Sequence, residues 1–189
     1  TIQSALKRAC HWYANQPAFL VDNRTVTYAE FELISRQIAS GYQDLGVSKG
    51  DRIAFLCESS IDHALAFYAA HWLGVVTVNL HFRETLDHHS ALIERLDPAV
   101  LVFASEKKSL VASLQEKFRD LKTICLNDTT GSLYSLKSIM RNFDPLEELP
   151  TIAENDPAVI QLSSGSTGVP KALVHTHASV LETWNGGIY

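Results

Sequence analysis

The sequence predicts an α/β fold in which a mostly parallel sheet lies between layers of helices. Short apolar runs of strand length, such as residues 99–103, alternate along the chain with amphipathic segments of helical period, such as residues 85–96. This alternation indicates parallel strands, because each return to the same end of a sheet passes through a helix. With 189 residues, of which 46% are hydrophobic and 20% charged, the chain is long enough to bury a core.

The first part of the chain predicts helix, hairpin and helix. Residues 2–13 have apolar side chains at helical spacing, and residues 18–27 predict two short strands around an Asp-Asn turn. The Thr27-Tyr-Ala-Glu30 sequence is a capping box, in which each of the two outer side chains accepts from the other residue's free amide. It opens a second helix that we expect to end at Gly46.

Strands and helices then alternate up to residue 140. Residues 64–80 carry no formal charge, but residues 61–72 have helical period and the β-branched residues 75–78 after Gly74 predict a strand. We therefore expect core and not a membrane span, which needs about 20 apolar residues. Ser105 is predicted to cap the next helix. The remaining predicted strands and helices follow, and they are residues 53–57, 85–96, 99–103, 110–118, 123–126 and 133–140.

Charge and cysteine content restrict the function class. A net charge of −5 and an isoelectric point near 5.9 argue against nucleic acid or an anionic membrane as the main partner. Cys10, Cys57 and Cys125 are odd in number and lie in apolar contexts, so they predict buried free thiols in a reducing compartment. Since no signal peptide is apparent, we expect a cytoplasmic protein.

Residues 161–177 predict a strand, a loop of small residues and a second strand. The loop contains hydroxyls, two glycines, one proline and one lysine, a composition that brings backbone N–H groups and an ammonium close to a polyanion. It is not a Walker loop, because Lys171 is followed by Ala172 and not by a hydroxyl. It also lacks the third glycine of a dinucleotide-binding turn. Taken by itself, such a Ser/Gly/Pro cluster is more often a solvated turn.

The complete string from Ser163 to Lys171 closely resembles the signature loop of the AMP-forming enzymes that adenylate acyl and aryl acids. These are the acid–CoA ligases, the adenylation domains of peptide synthetases and the luciferases. Three further segments, residues 27–31, 45–52 and 73–75, are similar to early motifs of the family in the same order. One position departs from the pattern, since Ala172 stands where the family usually has glycine.

The resemblance implies a reaction and a set of site residues. A carboxylic acid attacks the α-phosphate of ATP, which is bound with Mg²⁺, and the acyl group then passes to a thiol, commonly that of coenzyme A. Lys171 and Thr167 are the implied catalytic residues. The residues implied to hold the β- and γ-phosphates of ATP are Ser163, Ser164, Gly165, Ser166, Thr167, Gly168 and Lys171.

Histidines offer the main alternative site chemistry. His88 and His89 are adjacent on a predicted helix and therefore point to different faces, and no cluster of Cys or Glu completes a ligand set. We expect no metal site formed by protein side chains. His177 with the following Ala-Ser begins the last predicted helix, as the matching histidine does in the family, so we expect a structural role for it.

The resemblance also implies that the chain is the amino-terminal portion of a longer enzyme. Residues 1–46 are then a helix-hairpin-helix segment of a neighbouring lobe, and residues 47–189 form an α/β subdomain carrying the loop at 163–171. We expect the isolated fragment to be inactive, because the resemblance places the pockets for adenine and for the acid in the rest of the longer enzyme. Three alternatives stay open: an adenylation domain of a peptide synthetase, a non-catalytic nucleotide- or phosphate-binding module, and an interaction domain in which the loop is only a turn.

Overall fold

A computed structural model describes residues 1–128, 134–163 and 170–186 of the chain. Its helices and strands appear in an order that matches the predicted alternation. They are α1 (Ile2–Trp12), β1 (Pro17–Val21), β2 (Arg24–Thr27), α2 (Tyr28–Asp44), β3 (Arg52–Leu56), α3 (Ile61–Trp72), β4 (Val76–Asn79), α4 (Leu86–Leu96), β5 (Val100–Phe103), α5 (Lys108–Lys117), β6 (Lys122–Cys125), α6 (Leu136–Asn142), β7 (Pro157–Ser163), β8 (Lys171–Thr176) and α7 (His177–Gly186).

A six-stranded sheet, in the order β6-β5-β3-β4-β7-β8, forms the centre of the fold. Along this spatial order, each strand from β6 as far as β7 is parallel to its neighbour. The last strand, β8, pairs antiparallel with β7. The strands β1 and β2 form a separate antiparallel hairpin. The predicted α/β fold with a mostly parallel sheet is therefore confirmed.

Two hydrophobic cores lie on the two faces of this sheet. Ile53 and Phe55 of β3 pack in the core that contains α2, α3 and α6, whereas Ala54 and Leu56 pack in the core that contains α4 and α5. Successive strand residues point to opposite faces, so a strand that is apolar at every position is one that is covered on both sides. The continuous apolar runs that predicted these strands have this physical cause.

The amino-terminal helices are fixed by the capping and packing that the sequence indicates. The capping box is present, with the backbone N–H of Glu30 bonded to the Thr27 hydroxyl and that of Thr27 to the Glu30 carboxylate. Two buried hydrogen bonds then link α2 to α3: Trp72 Nε1 donates to Ser35 Oγ at 2.8 Å, and the Tyr42 hydroxyl donates to the Ala66 carbonyl at 2.9 Å. The place of residues 1–46 in a longer enzyme stays a prediction.

The region that contains the uncharged residues 64–80 is a helix followed by a strand, as predicted. Gly74 lies between α3 and β4 with a φ of +68°, and a Cβ at this position would come within 3.0 Å of Ile152 Cγ1. Glycine is needed there for both reasons. No described helix combines the length and the apolar character that crossing a membrane requires.

Two details of the prediction were wrong. Ser105 does not cap α5 with its side chain. It begins a single 3₁₀ turn, Ser105–Lys107, and its backbone N–H is taken by Asn127 Oδ1 at 2.7 Å. This turn supplies the geometry of the helix start, so no side-chain cap is used. The other detail concerns the thiols: Cys10 and Cys125 are buried free thiols, but Cys57, at the end of β3, is only half-buried.

Candidate phosphate-binding site

The β7–β8 hairpin holds both ends of the predicted phosphate loop. Ser163, the last residue of β7, is paired with Lys171, the first residue of β8, and Leu162 is paired with Ala172. The two strands predicted on either side of the loop are therefore confirmed. Ser164, Gly165, Ser166, Thr167 and Gly168 lie outside the described residues, so their part in binding phosphate stays a prediction.

Ser163 and Lys171 lie on the same face of the hairpin. Ile160 is buried in the core that contains α4 and α5, and Leu162 and Ala172 pack against that core. Because strand side chains alternate and paired residues share a face, the side chains of Ser163 and Lys171 lie on the opposite face. Lys171 is exposed and Ser163 is partly exposed. A hydroxyl and an ammonium can thus approach one ligand from a common surface.

A cavity of about 450 Å³ adjoins the hairpin between α3 and α7. Its lining includes Phe67 and His71 of α3, Gln161 and His175 of the hairpin, and Val180 and Thr183 of α7. Gln161 lies two residues before Ser163, which corresponds to about 7 Å along a strand. There is accordingly space for part of a small molecule on the face that carries Ser163 and Lys171.

A buried histidine pair joins α7 to the rest of the fold next to this cavity. The rings of His71 and His177 lie 6.0 Å apart between centroids, and His177 Nδ1 accepts from the backbone N–H of Ile2 at 3.2 Å. Burial, assisted by the neighbouring His177, lowers the pKa of His71 to about 3, and burial also lowers the pKa of His177. His177 begins α7, as predicted, and its contacts tie α1, α3 and α7 together.

The adjacent histidines of α4 lie as their sequence positions predict. His89 is buried, and burial, together with the nearby His88, lowers its pKa to about 4. His88 is only partly buried, and its Nδ1 lies 3.8 Å from Glu84 Oε2. Within residues 1–128, 134–163 and 170–186, the structure has no group of three or more His, Cys, Asp or Glu side chains placed to hold a metal ion.

One contact of the loop was missed by the sequence analysis. Arg95, in the last turn of α4, donates from Nη1 to the carbonyl oxygen of Pro170 at 2.8 Å. The two residues are 75 positions apart, and an arginine near the end of a helix is common for electrostatic reasons alone. No local pattern in the sequence could have linked this side chain to the loop.

Comparison with known proteins shows the family of the chain. The family model described as "AMP-binding enzyme" matches residues 6–187. The long-chain-fatty-acid–CoA ligase FadD13 of Mycobacterium tuberculosis is 28% identical over 155 residues, which is 82% of this chain and 30% of that protein. The 4-coumarate–CoA ligase 1 of Petroselinum crispum is 28% identical over 163 residues, which is 83% of this chain and 29% of that protein.

A solved structure supports the fold independently. The luciferase-like enzyme of the mealworm Zophobas morio matches with a TM-score of 0.85 and 23% identity over 100% of this chain and 45% of that one. The chain spans about a third of the length of the curated relatives that it matches. Because the family model covers almost all of its residues, and the fold and hairpin agree with it, the chain belongs to the AMP-binding enzyme family.

Proposed function

We propose that the chain is the amino-terminal part of an ATP-dependent ligase that joins a carboxylic acid to a thiol through an acyl-adenylate. The observation that carries this proposal is the paired Ser163 and Lys171, on one exposed face of the hairpin, in a chain of the AMP-binding enzyme family. The two relatives described above are CoA ligases by name, which supports coenzyme A as the thiol acceptor. One of them is named for a fatty acid and the other for an aryl acid.

In the first step, a carboxylate oxygen of the acid forms a bond to the α-phosphorus of ATP. The bond from that phosphorus to the bridging oxygen of the β-phosphate breaks, and pyrophosphate leaves with the electron pair. Negative charge therefore builds up on the departing phosphates. In the second step, the thiol sulfur attacks the acyl carbon, AMP leaves with the electron pair, and the thiol proton passes to solvent.

The residues of the loop act on the departing phosphates. Lys171 supplies a positive charge, the Ser163 hydroxyl supplies a hydrogen bond, and we propose that Ser164, Ser166 and Thr167 add hydroxyl donors while Gly165 and Gly168 let the backbone approach. A contact between unit charges at 4 Å is worth about 1 kcal/mol in water and about 4 kcal/mol at an effective dielectric of 20. Exclusion of water around Lys171 therefore contributes more than the presence of the lysine alone. Mg²⁺ would enter with ATP, bound to its phosphates.

The domain arrangement is part of this proposal. In this proposal, residues 47–189 form an α/β subdomain that offers the phosphate loop. Residues 1–46, whose helix α2 packs on that subdomain, are proposed to belong to a neighbouring lobe of the longer enzyme. The isolated chain of residues 1–189 is expected to bind ATP weakly and to lack adenylation activity. Acid-dependent exchange of pyrophosphate into ATP by residues 1–189 alone would contradict this expectation. Submicromolar ATP binding by the same residues in calorimetry would favour a stand-alone nucleotide-binding module.

The proposal is tested by Lys171→Ala in the longer enzyme. Removal of one preorganised charge from the departing phosphates is expected to lower acid-dependent ATP–pyrophosphate exchange by about 10²-fold. Lys7→Ala removes an exposed lysine of α1 and serves as the matched control, with exchange unchanged. Unchanged exchange in Lys171→Ala would support the interaction-domain alternative. A screen of fatty and aryl acids in the same assay identifies the acid.

A further inference from the structure

We infer that Arg95 is a positioning residue for Lys171 at the end of the phosphate loop, because it holds the peptide group that joins Pro170 to Lys171. The inference rests on the proposed function. It concerns α4, a helix on the opposite face of the sheet from the side chains of Ser163 and Lys171.

The contact acts on the peptide group next to Lys171. Arg95 Nη1 donates to the Pro170 carbonyl oxygen at 2.8 Å. The peptide plane contains this oxygen together with the nitrogen and Cα of Lys171, so a guanidinium that holds the oxygen restricts the direction in which the lysine side chain leaves the chain. Pro170 has no N–H of its own, and its carbonyl is the only backbone hydrogen-bonding group that it offers to a neighbour.

The helix that carries Arg95 is itself held to the sheet. The Arg52 guanidinium of β3 donates from Nε to the Leu96 carbonyl and from Nη2 to the Asp97 carbonyl, the latter at 3.0 Å. Leu92, Ile93 and Leu96 of α4 are buried in the same core as Ile160 of β7. The helix backbone from which Arg95 extends is therefore held against the sheet, while the Arg95 side chain itself is exposed.

The two strand residues next to the loop ends rest on the same core. Leu162, before Ser163, and Ala172, after Lys171, are partly buried against the core that contains α4. Together with the bond from Arg95 to Pro170, the two hydrophobic contacts seat the base of the loop on this core. The Ala172 methyl group, at the position where related loops usually have glycine, has a place to pack in this arrangement.

The Pro170 carbonyl oxygen is the partner that the structure gives to the Arg95 guanidinium. Within the part of the chain that the structure describes, Arg95 forms none of the ion pairs, since no carboxylate there lies within 4.0 Å of its nitrogen atoms. A hydrogen bond with a charged donor is stronger than a neutral one, and a carbonyl is the group that receives it here. A Lys171 backbone that is already held in place loses less conformational freedom when the lysine binds phosphates.

The experiment compares Arg95→Ala, Arg95→Lys and Arg141→Ala in the longer enzyme by acid-dependent ATP–pyrophosphate exchange. Arg141 is an exposed arginine in the last turn of α6 and serves as the matched control. Arg95→Ala is expected to raise the KM for ATP and the KM for pyrophosphate by about three- to tenfold, the range for loss of one hydrogen bond. The kcat and the KM for the acid should stay within about twofold of their original values, and Arg95→Lys should restore part of the loss. Arg141→Ala should change none of these constants.

Each result decides the inference. Unchanged KM values for ATP and pyrophosphate in Arg95→Ala, in an enzyme whose exchange is otherwise active, would overturn the role of Arg95 and leave the proposed function intact. A fall in kcat and melting temperature without a change in KM would show a merely structural role and overturn it as well. If Arg95→Ala does not fold, Arg95→Lys gives the same readout, with a smaller rise of the two KM values expected. Absence of acid-dependent exchange in the unmodified enzyme would overturn the proposed function and this inference together.

Discussion

The strands β5 and β8 belong to one sheet but differ in how far their own chain covers them. Every residue of β5, Val100–Phe103, is buried, because β5 lies between β3 and β6 and carries helices on both faces. In β8, by contrast, Leu173 is 51% exposed and Val174 is 59% exposed. Adjacent strand residues point to opposite faces, so β8 is open on both sides. The strand that follows the predicted phosphate loop is thus much less covered by its own chain than β5 is.

The covered strands mainly stabilise the fold, whereas the exposed hairpin carries the predicted site. The strands from β6 to β4 are parallel and covered on both faces, which is the usual condition of a parallel sheet. The hairpin adds an antiparallel strand that lies at the edge of the described sheet, with large apolar side chains in solvent. Such an edge is suited to being covered by another part of a longer chain. We therefore expect substitutions to act very differently in the two regions.

The largest effect on stability is expected when a leucine is replaced by alanine in β5, and the same replacement in β8 is the comparison. Leu101→Ala in β5 removes a fully buried side chain and should lower the free energy of unfolding by about 2–5 kcal/mol. Leu173→Ala in β8 removes a half-exposed side chain and should change it by less than about 0.5 kcal/mol. Urea unfolding of residues 1–189 measures both values, and the pair is its own control. Equal losses would show that β8 is covered in solution and would remove the contrast between the strands.

Acid should destabilise the contact between α3 and α7, which lies next to the hairpin. His71 of α3 faces His177 of α7, the Thr77 hydroxyl of β4 and the rings of Phe67 and Tyr68. Because burial lowers its pKa from 6.5 to about 3, the unfolded chain binds the proton more readily than the folded chain does. The contribution of neutral His71 to the free energy of unfolding is therefore complete above pH 6.5 and is lost as the pH falls towards 3. At pH 5 the loss is about 2 kcal/mol.

Melting temperature measured between pH 8 and pH 4 checks this dependence. His177 should add to the effect, since burial lowers its pKa as well, whereas the hydrogen bond from Lys49, at 2.8 Å, lowers the pKa of the nearby Asp156. His71→Gln is the matched variant, and its melting temperature should fall less steeply with acid. Identical slopes for both proteins would show that His71 does not titrate in this way.

The smallest effect is expected from Ala172→Gly, which restores the residue usual in related loops. Loss of the methyl group from the core on the α4 side, together with the greater freedom of glycine in the unfolded chain, should lower the free energy of unfolding by about 1 kcal/mol. For a chain of this size the melting temperature would fall by about 2–4 °C. A rise in melting temperature would mean that Ala172 is strained and does not pack as described.

Much of the local structure could be predicted because its causes are local. The capping box at Thr27 and Glu30 acts across three residues, and the start of α7 at His177 follows directly after a strand. Ser105 shows where this reasoning fails, since it begins the 3₁₀ turn Ser105–Lys107 and the α-helix starts only at Lys108. A capping residue identified by type alone does not show whether such a turn precedes the helix.

By itself, the sequence determined the alternation of strands and helices, the two strands on either side of residues 164–170 and the types of residue that we predict to bind phosphate. These depend on side-chain period, turn residues and spacing, which are properties of neighbouring positions. Only the tertiary structure decided that Ser163 and Lys171 share a face, that His71 meets His177, and that Arg95 holds Pro170. Those contacts join residues that are distant along the chain, and they exist only because sheet order and helix placement bring their elements together.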